Sequence, residues 1–170
     1  MYTLAEKLNA PDTQLQLDTA WALSQQNNQA CNQILSEALM NRKLNEETIA
    51  IISQNPAGPV LLEEVLASSD FNKKEKLSIL EIYASSMVRT PNSIRSGIMT
   101  TVQPLLENQD PDLQVQAIRI LGMGFGDETT QDILKPKLQS SEVLVRKEAL
   151  DAYQPYLSPD NLSLIHISEP

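Results

Sequence analysis

The stretch that most invites a chemical reading is Gly122-Met123-Gly124-Phe125-Gly126, because glycines let backbone amides close on an anion at the start of a helix. A dinucleotide loop of that kind follows a β-strand, and a P-loop continues into Lys-Ser or Lys-Thr. Here the run follows an amphipathic helical pattern and neither pair comes after it. It is therefore read as a helix stop and a wide hairpin turn, with Asp127 capping the next helix. Acyl transfer by a Ser-His or Cys-His pair needs an imidazole base, and the one histidine, His166, stands in the last few residues. Catalytic zinc would lack its commonest ligands for the same reason. Cys31 is the single cysteine, which excludes an intramolecular disulfide and a multi-cysteine metal site, and it is read as a small buried apolar residue. Carboxylate chemistry is left, in the pairs Glu46-Glu47, Glu63-Glu64 and Asp127-Glu128. Neighbours on a helix point about 100° apart, so such pairs do not converge by themselves and read as solvated helix-start charges. The expectation is no catalytic residue, no cofactor and no metal.

The elements that would carry these residues are helices. Aromatics make up 4% of the chain and there are five glycines, too few for the strands and turns of a β-sandwich or barrel. From Asn72 to Arg89 the residues Leu77, Leu80, Tyr83, Ala84, Met87 and Val88 fall on one helical face, with Asn72 as cap and Thr90-Pro91 as stop. Ile94, Ile98, Val102 and Leu105 repeat the spacing in a second helix, completing a hairpin. Similar patterns run over 12–26, 29–39, 45–53, 59–67, 112–123, 127–138 and 142–156. None is long enough to be stable alone, so each must lay its apolar face on neighbours. Trp21, in step with Leu17 and Ala20, is read as a core anchor, and Lys73, Lys74 and Lys76 as a solvated helix start.

Internal echoes point to repeats. Pro11-Asp12-Thr13-Gln14-Leu15-Gln16 returns as Pro111-Asp112-Leu113-Gln114-Val115-Gln116. Val102, Pro104 and Leu106 return 32 residues later as Leu134, Pro136 and Leu138, and Val115 returns 30 later as Val145. Each internal proline should bend its helix by removing an amide donor.

The segments Asp110-Pro111-Asp112-Leu113-Gln114-Val115-Gln116-Ala117-Ile118, Gly126-Asp127-Glu128 and Ser141-Glu142-Val143-Leu144-Val145-Arg146-Lys147-Glu148-Ala149-Leu150 resemble successive HEAT repeats of the bacterial, lyase-like type. The likeness is clearest over 109–156, and Gln116 replaces the arginine of that pattern. It implies an all-α solenoid of about four to five antiparallel hairpins over residues 1–161, with a concave surface lined by the second helix of each hairpin. Glu63, Glu64, Arg95, Gln103 and Lys137 are the candidate partner-binding face, beside Glu37, Arg42 and Ser93. The closing run Leu162–Pro170, LSLIHISEP, resembles a translated transposase adapter from sequencing libraries, so residues 162–170 are expected to be non-native and the natural chain to continue past Asn161.

A formal charge of −9 argues against a surface that neutralises nucleic-acid phosphates or anionic lipid. No run approaches the ~20 apolar residues of a membrane span, and Glu6 and Lys7 interrupt any apolar leader, so the expected place is the cytoplasm. The functional expectation is a scaffold that holds a protein partner without catalysis, with no nucleic acid, membrane or metal partner. The alternative is an enzyme or enzyme accessory of the HEAT-like lyase type acting on a small molecule or chromophore.

Overall fold

In a computed structural model, which describes residues 3–124 and 128–154, the chain folds into ten α-helices with no strand among the described residues. They are α1 (Leu4–Leu8), α2 (Thr13–Gln26), α3 (Gln29–Met40), α4 (Glu46–Ser53), α5 (Gly58–Ala67), α6 (Lys73–Ser86), α7 (Asn92–Val102), α8 (Pro111–Gly122), α9 (Glu128–Leu134) and α10 (Val143–Tyr153). No helix among the described residues is long and apolar enough to cross a membrane. Side-chain caps set the boundaries: Asn72, as expected, and also Asp12, Asn28 and Asn45 each accept a backbone N–H from the third residue beyond them. The short α1 was not anticipated, although Thr3 and Glu6 form a reciprocal capping box that a sequence can display.

Both internal prolines stand where the regular α-helix ends. At Gln103–Glu107 and Lys135–Gln139 the helix tightens into a 3₁₀ turn, with Pro104 and Pro136 second in each. The 32-residue echo extends into hydrogen bonding. Asn108 N–H donates to Leu105 and Ser140 N–H to Lys137; the side chains of Asn108 and Ser140 then accept the N–H of Asp110 and Glu142. This register places Gln114, not Gln116, where Arg146 stands, each being the fourth residue of its helix. The echo of Val115 in Val145 at offset 30 is thus out of step with the backbone. So is the echo of Pro11-Asp12 in Pro111-Asp112, since Asp12 is a cap while Pro111 is already the first residue of α8.

The fourth helical residue recurs as a clamp. Gln16 in α2, Lys76 in α6, Arg95 in α7, Gln114 in α8 and Arg146 in α10 each donate to a backbone carbonyl before their helix, respectively of Leu8, Leu66, Met87 and Thr90, Asn108, and Ser140 and Ser141. Such bonds satisfy carbonyls that the preceding helix or turn leaves open. Lys76, expected to be solvated, thereby serves the end of α5.

Two compact units divide the chain, residues 1–101 and 102–170. In the first, α2 packs on α4 and α4 on α6, while α1 packs on α3 and α3 on α5, so these helices meet the one two places along. Leu8, Ala20, Leu23, Leu35, Ala38, Ile52, Ala57 and Leu61 form the buried cluster between them. Close approach is enforced at Gly58, where an added β-carbon would lie 2.8 Å from the Ser53 carbonyl oxygen and 2.9 Å from that of Ile52. Tyr83 of α6 donates its hydroxyl to the Gly58 carbonyl at 2.8 Å. In the second unit α8 packs on α10 and α9, and Arg119 and Glu148 join the two long helices through paired contacts of 2.9 and 3.0 Å.

Two core assignments are corrected. Trp21 is 56% exposed. The inward stripe of α2 is Gln16, Thr19, Ala20, Leu23 and Ser24, and Trp21 lies on its flank. That stripe is obscured in the sequence because its polar members bond internally: Gln16 receives the Thr48 hydroxyl at 2.9 Å and Thr19 donates to Leu15 O at 2.7 Å. Val88 is 77% exposed: it lies beyond α6, in the 3₁₀ turn Met87–Arg89, where Met87 is the buried residue and the chain has left the α-helical phase that Leu80 and Tyr83 keep. Cys31 is half-buried, packed on the edge of the first unit's cluster.

Candidate functional site

The first unit carries a groove between α4 and α6, a feature with no signature in residue spacing. Helix α4 begins with Asn45 capping Thr48, and its first turn presents Glu46 and Glu47, favoured there by the helix dipole. Helix α6 begins with Asn72, whose side chain accepts Glu75 N–H while the Glu75 carboxylate accepts Asn72 N–H. An apolar cavity of about 340 Å³ lies at one end, floored by Leu39, Leu44, Ile49, Phe71, Ile79 and Ile82. A second, of about 460 Å³, runs along the helices between Glu46, Glu47, Ala50 and Gln54 on one side and Glu81, Ser85 and Arg89 on the other. Both are lined by Glu46, Ser78 and Ile82, which makes them one trough.

Arg42 closes the apolar end. Its backbone is left-handed, with φ of 53°, in the tight turn after α3. Its guanidinium bonds Glu75 through Nε–Oε1 at 3.0 Å and Nη2–Oε2 at 3.2 Å, donates to Asp70 O at 2.6 Å, and lies 4.6 Å from the centroid of the Phe71 ring. The turn after α3 is thereby tied to the start of α6.

This arrangement shifts both partners. Glu75 is held below its ordinary value of 4.5, first by the hydrogen bond from Arg42 and then by the Asn72 N–H; the Arg42 guanidinium is raised, first by its hydrogen bond to Glu75. A carboxylate whose folded value is lowered stabilises the fold fully above the unfolded value, and that contribution disappears as pH falls through the folded value. Glu75→Gln should therefore be less stable than the parent at pH 7, and the gap should shrink as pH falls below about 4.5 and on through the lowered folded value. Urea midpoints of the two proteins at pH 7 and along an acid series measure it, and a gap that does not shrink with acid would refute the tie.

The five residues expected to face a partner line neither cavity. Glu63 is exposed and Glu64 half-buried on α5, and Gln103 is exposed at the start of its 3₁₀ turn. Arg95 is the clamp of α7, and Lys137 donates to Leu106 O at 2.6 Å and to the Glu107 carboxylate at 2.9 Å. Those two cations are engaged within the fold rather than offered outward. One signal in the sequence could have found Glu75, namely the spacing of Asn72 and Glu75 as a capping box. Among the described residues, no group of three His, Cys, Asp or Glu side chains is placed to hold a metal ion. The glycine run ends α8 at Gly122, as expected, while Phe125, Gly126 and Asp127 lie outside the described residues, as do His166 and the adapter-like tail.

No protein-family model and no curated protein matches the sequence. Among solved structures the chain is similar to two engineered proteins from the Northeast Structural Genomics Consortium. One aligns at 15% identity and a TM-score of 0.51, over 96% of this chain and 84% of that one. The other aligns at 18% identity and a TM-score of 0.47, over 96% of this chain and 66% of the engineered one. The first likeness is to a fold and carries no activity with it.

Proposed function

We propose that this chain is a non-catalytic protein-interaction scaffold, built as a stack of HEAT-like helix hairpins. The observation that carries the reading is the packing of each helix on the one two along in the first unit, α2 on α4 on α6 and α1 on α3 on α5. Short amphipathic helices arranged this way bury one face in the stack and keep the opposite face in solvent, where a partner segment can lie. The trough between α4 and α6 supports the same reading, because it combines an apolar floor with charged walls, as peptide-binding grooves do.

Affinity capture with the full chain, followed by titration of the purified captured protein, tests the proposal. Saturable binding of a protein is the expected result. Repeated failure to retain any protein, together with turnover of a small molecule or chromophore, would reverse it in favour of the lyase-like alternative.

A further inference from the structure

The α4–α6 trough points to the chemistry of its occupant, and this step rests on the scaffold reading. Its two ends differ in kind. At the apolar end Arg42 and Glu75 neutralise each other, and six apolar side chains line a space of about 340 Å³, within the about 300–1,000 Å³ range of ligand clefts. Along the rest, Glu46, Glu47 and Glu81 oppose the lone guanidinium Arg89, leaving a surplus of negative charge over a floor of Ala50 and Ile82. Glu47 and Glu81 are exposed and line the trough from its two sides.

From this charge complementarity we infer that the trough receives a basic amphipathic peptide segment of a partner protein. An apolar side chain enters between Phe71 and Ile82, and a neighbouring lysine or arginine lies between Glu47 and Glu81. An acidic segment would be repelled at the walls, and a purely polar cationic one would leave the apolar end unfilled. The surface differs from the one expected on the second helices of the hairpins, since α4 and α6 are first helices.

The test uses the full chain and a fluorescein-labelled peptide of alternating leucine and lysine, with leucine–glutamate and serine–lysine peptides as comparators. Measurements at about 0.15 M salt confine electrostatics to roughly 8 Å, which damps attraction to the acidic protein at large. The leucine–lysine peptide should bind more tightly than either comparator and shift the methyl resonances of Ile49, Ile79 and Ile82. The double variant Glu47→Lys/Glu81→Lys should weaken it by about tenfold, a change of about 1.4 kcal/mol. The double variant Asp132→Lys/Asp151→Lys, with the same charge change at exposed positions on α9 and α10, should bind as the parent does. Equal loss in both variants, loss confined to the second, or failure of the leucine–lysine peptide to bind would overturn the assignment of the trough. The scaffold reading would survive any of those results so long as a captured protein still bound saturably.

Discussion

Replacing Leu35 with alanine should destabilise the protein by about 2–5 kcal/mol. Leu35 is fully buried in the middle of α3, in the cluster formed by Leu8, Leu23, Ile52 and Leu61. Truncation removes the transfer energy of the lost carbons and leaves a void that four separate helices border. A void at such a junction can collapse only if those helices shift, and the clamps and caps of the first unit resist that shift. A chain of this length loses about 2–4 °C in Tm per kcal/mol, so thermal unfolding should move down by roughly 4–20 °C. A Tm within 2 °C of the parent would mean that the cluster does not hold the first unit together.

The second large effect is expected at Gly58, where alanine should destabilise even though it is the better helix former by about 1 kcal/mol. The added β-carbon would lie 2.8 Å and 2.9 Å from the carbonyl oxygens of Ser53 and Ile52 and 3.0 Å from the Ser53 α-carbon. All three are backbone atoms, which cannot swing aside as a side chain would, so α5 must move away from the end of α4. That movement also stretches the Tyr83 hydrogen bond to the Gly58 carbonyl, whose donor has no water to turn to inside the core. Overpacking of this kind costs about 1–3 kcal/mol beyond the propensity gain. Denaturant midpoints of Gly58→Ala, of Tyr83→Phe and of the double variant measure both parts. If the single variant is as stable as the parent, the close approach is not rigid. If the two losses simply add, the Tyr83 bond does not depend on the position of Gly58.

Helix positions were legible because their ends are written in local chemistry. Asn72 and Asp12 cap by accepting the amide three residues on, while Pro91 stops a helix and Pro104 and Pro136 turn α-helix into 3₁₀ because proline lacks an amide donor and crowds the preceding turn. The facing of the helices was less legible. In α2 the inward stripe includes Gln16, Thr19 and Ser24, which are paired inside the fold but look like solvent residues to a hydrophobic count, and Trp21 was placed inward in their stead. Repeat register suffered from a similar ambiguity: Val115 and Val145 share a residue type, but hydrogen bonds at Asn108 and Ser140 set the true step. The trough lay furthest from view. It depends on how closely α4 and α6 approach and on a left-handed turn at Arg42, and neither has a signature in spacing.

The clamps at the fourth residue of α2, α6, α7, α8 and α10 reach back between five and ten positions along the chain. A connection is therefore finished only after the helix beyond it has made its first turn. On a ribosome, where the polypeptide emerges from its amino end, each clamped corner would wait for the next segment before locking, and assembly would pass through those points with the newest bend still unlatched.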